Sequence, residues 1–88
     1  MILEFDKYFS KSIDKIGSQV IKNKLVKMID VFENASSIED IPNIKKIVGF
    51  QNCYRYRIGD YRVGFELNGN TVLFIVIAHR KDIYRLFP

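Results

Sequence analysis

No arginine occurs in the first 49 residues of this 88-residue chain, and the whole chain holds one cysteine and one histidine. The lone cysteine, Cys53, cannot close an internal disulfide, so nothing in the sequence points to an oxidising compartment. The longest apolar run, Val72 to Ala78, falls far short of the roughly 20 residues that cross a bilayer. The opening MILEFDKYF carries acids where a secretory signal has a basic start and an apolar stretch. The expected location is therefore the cytoplasm, with no membrane partner. One histidine, one cysteine and no acidic cluster leave no set of metal ligands, so neither a metal nor another cofactor is expected. No repeat or low-complexity tract interrupts the chain.

What is present describes a small globular unit. Hydrophobic residues make up 48% and charged residues 27%, a balance that supports one domain over residues 1–88 with one modest core. The formal net charge of +4 is a weak hint of an acidic partner, and its distribution says more. Residues 1–49 hold eight lysines and seven acids; residues 50–88 hold five arginines, one lysine and three acids. Guanidinium is the planar, forked, permanently charged donor that suits phosphate oxygens, and lysine does not replace it.

The apolar pattern gives an α+β order. Met1 to Phe5 reads as an edge or pairing strand. Phe9, Ile13 and Ile16 then recur at helical spacing behind a possible N-cap at Asp6. Gly17 and Ser18 break that helix, and Ser18 can cap the next. The second helix carries a stripe of Ile21, Leu25, Met28, Ile29 and Phe32 opposite Lys22, Lys24 and Lys27. It should end near Asn34 to Ser37. A looser connection with Pro42 and Gly49 follows, with an extended piece at Lys46 to Val48. Strands are expected over Cys53–Ile58, Tyr61–Leu67 and Thr71–His79, joined by turns at Gly59-Asp60 and Asn68-Gly69. The result is β-α-α-β-β-β, two antiparallel helices packed on a small, mostly antiparallel, twisted sheet.

Alternation along the strands sorts the side chains into two faces. Tyr54, Tyr56 and Ile58 share one face with Tyr61, Val63, Phe65 and Leu67, a floor for the helices. Arg55, Arg57 and Arg62 share the other, with Arg57 opposite Arg62 and Arg55 opposite Gly64. Like charges directly opposed across strands destabilise a sheet. Two readings follow. Either the face is simply solvated, with Glu66 or a terminal group offsetting part of the charge, or an external polyanion supplies the missing partner. Gly64 leaves room for something to approach, and it fits a simple bulge almost as well. Continued alternation puts Leu73, Ile75, Ile77 and His79 on the arginine face, with Arg80, Tyr84 and Arg85 near the strand end. That collection supplies phosphate donors, a stacking ring and a proton-transfer group.

NCYRYRIGDYRVGFELNGNTVLFIVIAHRKDIYR resembles the C-terminal half of RelE/ParE-superfamily toxins. The family pattern is a basic strand ending YR-x-R-x-GDYRV, then a turn, an aliphatic strand and HR-x-x-x-Y. The likeness is detailed from Cys53 to Arg85 and architectural over the rest. It implies the toxin of a type II toxin–antitoxin system and, in the RelE-like branch, an mRNA endoribonuclease (an mRNA interferase) that needs the ribosome and no metal. In that reaction the ribose 2′-OH attacks the adjacent phosphate, leaving a cyclic phosphate and a free 5′-OH.

The resemblance also implies roles. Arg55 and Arg57 match basic positions that bind phosphate or assist proton transfer, although some relatives carry lysine there, which leaves the identity of the base open. Arg62 matches the arginine that stabilises charge on the scissile phosphate, and Arg80 a phosphate ligand or proton donor. Tyr84 matches the tyrosine that stacks on or orients the cleaved nucleotide, while His79 matches a histidine of some branches only. Lys81 and Arg85 extend the phosphate-binding set. Arginine is a poor base, with a pKa above about 12, so a histidine in the site is the better candidate for that role. The implied partners are a cognate antitoxin, the ribosome and mRNA. The same superfamily includes ParE-like proteins, which inhibit DNA gyrase and are not nucleases, and a catalytically inactive binding module is the third reading.

Overall fold

The Asp6 carboxylate accepts a hydrogen bond from the backbone N–H of Tyr8 at 2.7 Å, which starts helix α1 (Lys7–Asp14) in the manner of an N-cap. After the break at Gly17, Ser18 does the same for α2 (Gln19–Asn34), accepting from the N–H of Ile21 at 3.2 Å. In this computed structural model, which describes residues 1–88, the α2 stripe faces inward as its spacing requires. Leu25, Met28 and Phe32 are buried, while Lys24 and Lys27 stay in solvent. No helix is long and apolar enough to cross a membrane.

Five strands form one sheet in the order β1-β5-β4-β3-β2. They are β1 (Ile2–Phe5), β2 (Ile44–Lys46), β3 (Cys53–Ile58), β4 (Tyr61–Asn68) and β5 (Thr71–His79). Only β1 runs parallel to its neighbour, pairing from Ile2 opposite Thr71 to Phe5 opposite Phe74. Helices cover one face, where Phe9 and Phe32 meet Phe65 and Phe74 with ring centroids 5.2 to 6.0 Å apart. Such edge and stacked pairs add to the burial of the rings themselves. The amino group of Met1 lies by the end of α2, donating to the carbonyls of Glu33 and Ala35 at 3.2 Å.

The expected α+β order is therefore present, with several differences of detail. The extended piece expected at Lys46 to Val48 falls earlier, at β2, and it is a true edge strand of the sheet. Asn43 causes this: after Pro42 it takes a φ of 67°, a conformation that asparagine tolerates, and so turns the chain into register with β3. The second hairpin turn is Gly69-Asn70 rather than Asn68-Gly69, because Asn68 still pairs with Thr71. In both hairpins glycine takes the first of the two turn positions, at φ 55° for Gly59 and 60° for Gly69. A closing helical turn, α3 (Ile83–Leu86), was not expected.

One irregularity reorders a face. Gly64 lies opposite Val76, but Phe65 lies opposite Phe74, so Ile75 is an extra residue in β5. A bulge of one residue inverts the alternation beyond it. Leu73 and Ile75 remain on the arginine face. Ile77 and His79 do not: Ile77 is buried opposite Val63, and His79 sits opposite Tyr61 on the helix-covered face. The expectation that His79 joins the arginines is corrected by that inserted residue.

Candidate nucleic-acid-binding cleft

The register of β3 and β4 is the one that the Gly59-Asp60 turn demands, with Arg57 opposite Arg62 and Arg55 opposite Gly64. The edge strand β2 extends the second of these rows, because Lys45 lies opposite Arg55. These side chains project from the face that α1 and α2 leave open. Together with Asn43, Ile44 and Tyr84 they line a cleft of about 300 Å³. Four of its seven lining residues are cations and none is acidic.

Each arginine is oriented by a neutral group. Arg62 donates from Nη1 to the backbone carbonyls of Gly59 and Tyr61, both at 2.9 Å, so the hairpin turn aims its guanidinium. Arg57 donates from Nη2 to Asn43 Oδ1 at 3.3 Å. The guanidinium carbon of Arg55 lies 4.5 Å from the centroid of the Tyr84 ring, a cation–π contact. Its Nε is buried without a hydrogen-bond partner. Tyr84 as a whole is 70% exposed. Glu66 forms no ion pair with any of them: the chain's two ion pairs are Arg80 with Asp60 and Arg85 with Asp82.

Of the residues singled out in the sequence, Arg55, Arg57, Arg62 and Tyr84 are brought together. Arg80 stands at the hairpin tip, 4.0 Å from Asp60, with its own N–H bonded to the Asp60 carbonyl at 2.8 Å. Lys81 is exposed beside it. His79 and Arg85 line a different cleft with Tyr8, Lys15 and Tyr61. His79 Nδ1 accepts from the backbone N–H of Lys81 at 3.2 Å, and its ring meets the edge of Tyr61. Asn43 and Lys45 were missed. Ile44-Lys45 carries the alternation of a half-buried strand, which in hindsight is the signal, but three residues are too few to stand out.

Behind the cleft lies a second, smaller core of Ile47, Cys53, Val76, Ile83 and Phe87. The space expected above Gly64 is filled from within: a Cβ there would lie 2.5 Å from the Phe87 ring. Burial pushes the Cys53 thiol above its ordinary pKa, and the Glu66 charge adds to this while Lys46 opposes it. The thiol stays protonated at neutral pH, as befits packing rather than nucleophilic chemistry.

The fold and the cleft define a class: small α+β proteins with a cation-lined cleft on the helix-free face of one sheet. Comparison gives the class its name. Residues 3–84 match the family model described as the ParE toxin of the type II toxin–antitoxin system parDE. The chain is 40% identical over 85 residues to Toxin RelE3 of Methanocaldococcus jannaschii, covering 96% of each. It superposes with a TM-score of 0.83 at 38% identity on the RelB–RelE antitoxin–toxin complex of Methanococcus jannaschii, covering 97% of this chain and 99% of that one. The RelE–RelB complex of Pyrococcus horikoshii shares the fold, with a TM-score of 0.72 at 19% identity over 90% of this chain and 93% of that one. The chain belongs to the RelE/ParE superfamily of toxins of type II toxin–antitoxin systems, and it is a RelE-like member.

Proposed function

We propose that this toxin is a ribosome-dependent mRNA endoribonuclease that works without a metal. The observation that carries the reading is the cleft: Lys45, Arg55, Arg57 and Arg62 converge with no carboxylate among them, beside an exposed aromatic ring. A folded chain tolerates that repulsion most readily where an anion is its normal occupant. In the reading, the 2′-OH attacks phosphorus, the bond to the 5′ oxygen breaks, and the departing oxygen takes a proton. Negative charge grows on the phosphoryl oxygens during attack. The guanidinium of Arg62, already held by two carbonyls, meets that charge without having to reorganise. Arg57 and Lys45 hold the flanking phosphate, and Arg55 carries the Tyr84 ring, on which the base stacks. Arg80 and Lys81 contact the chain farther out. Neither histidine nor carboxylate lines the cleft, so of its residues Lys45 and Tyr84, with solvent, are the groups able to take the 2′-OH proton and return one to the departing oxygen.

The RelB–RelE relatives were solved with an antitoxin, and the same reading gives this chain a cognate antitoxin with acidic residues for the four cations. Gyrase inhibition is the second reading, favoured by the match to the ParE model. Primer extension on a defined mRNA in a reconstituted translation system separates the two. Ribosome-dependent cuts are expected, falling by on the order of 100-fold or more in Arg62→Ala. A folded protein that makes no cut overturns the nuclease reading, and inhibition of DNA supercoiling would then support the second.

A further inference from the structure

The helical turn α3 is four residues long, too short to hold its shape or place by its own hydrogen bonds. What it buries must therefore fix where it lies. Ile83 and Phe87, four residues apart on one side, are 0% and 5% exposed in the small core behind the cleft. Tyr84, next to Ile83, faces away from that core and lies on Arg55. The Phe87 ring occupies the place that a side chain at position 64 would take, 2.5 and 2.6 Å from an ideal Cβ. Gly64 does not have the left-handed φ that would by itself call for glycine. Its missing side chain is explained by the ring. Gly64 is also the direct cross-strand partner of Arg55.

These contacts close a loop. Arg55 pairs with Gly64, Gly64 receives Phe87, Phe87 follows Tyr84 by three residues at the end of α3, and Tyr84 covers Arg55. We propose that Phe87, seated in the notch at Gly64, is a positioning residue that sets Tyr84 on Arg55 at the wall of the cleft. Its consequence for cleavage rests on the nuclease reading; the geometric claim does not.

Gly64→Ala is the sharpest test, because the backbone accepts alanine while the ring must lift. The first measurement is the side-chain Nε–H signal of Arg55 by ¹⁵N nuclear magnetic resonance. In the parent this proton is shielded from water and lies by the Tyr84 ring; in Gly64→Ala and Phe87→Ala the signal should shift and exchange faster. Gly64→Ala combined with Phe87→Leu, which frees space, should return it towards the parent. In the cleavage assay Gly64→Ala should lower kcat more than it raises KM, by on the order of tenfold. Placed on Tyr84→Ala it should cost nothing further. An unmoved Arg55 signal in folded Gly64→Ala, or a loss that simply adds to that of Tyr84→Ala, overturns the proposal. If the parent itself cuts no RNA, the nuclease reading fails while the Arg55 signal still decides this one.

Discussion

Three arginines and a lysine on one small patch cost stability, since opposed like charges in a sheet repel. Salt bridges do not relieve that cost, because Asp60 and Asp82, the acids that do pair, serve Arg80 and Arg85 outside the cleft. Relief within the protein comes instead from carbonyls, an amide and a ring, which orient a cation without cancelling its charge. The full charge therefore remains available to a ligand. His79 illustrates the opposite fate. Its Nδ1 is engaged by the Lys81 N–H and its ring by Tyr61, on the far side of the sheet from the arginines. On the nuclease reading, His79→Ala is accordingly expected to leave the cleavage rate close to that of the parent. A collapse of the rate in a folded His79→Ala protein, measured by the same primer extension, would return the histidine to the chemistry.

At the scale of elements, the bulge and the helix beside it solve one problem. β1 stops pairing at Phe5, so the edge of β5 beyond Phe74 has no strand to cover it. Helix α1 takes that place. The Ser12 hydroxyl, buried, accepts from the backbone N–H of Ile77 at 3.0 Å and donates to the Phe9 carbonyl at 2.7 Å. Ser12→Ala would leave a buried N–H with no acceptor, which costs about 1–3 kcal/mol. Urea unfolding, followed by circular dichroism, should show that loss as a lower midpoint with an unchanged slope; an unshifted midpoint would mean that the N–H finds another partner. The same region shows what a sequence can and cannot reveal. The caps at Asp6 and Ser18, the α2 stripe and the Arg57–Arg62 register were legible because each depends on residues within one helix or one hairpin. The bulge was legible only in part: Gly64, at the register shift, fits one, but the extra residue Ile75 lies in the partner strand, where the unbroken apolar run Val72 to Ile77 has no glycine or polar residue to mark it. It is set by tertiary packing of Phe74 and Val76 on opposite faces. Nor could Phe87 be seen over Gly64 from 23 residues away, since nothing local links them.

For the whole molecule, the split of charge along the chain becomes in large part a split in space. The lysines of α1 and α2 stand over the helix-covered side, while Arg55, Arg57 and Arg62, joined by Lys45, occupy the open face of the sheet. A diffuse basic surface and a focused one respond differently to salt. Each phosphate neutralised on single-stranded RNA contributes about −0.7 to the slope of log K against log salt, so four cleft cations should give roughly −3. Fluorescence anisotropy of a short labelled RNA from low to moderate salt would measure this. Arg57→Ala should make the slope shallower by about 0.7 and weaken binding to all sequences alike, because a phosphate contact carries no base information. Lys11→Ala, on exposed α1, should leave the slope unchanged although it removes the same formal charge. Equal effects of the two substitutions would mean that RNA responds to net charge alone. The cleft would then be a solvated face rather than the place where the phosphates bind.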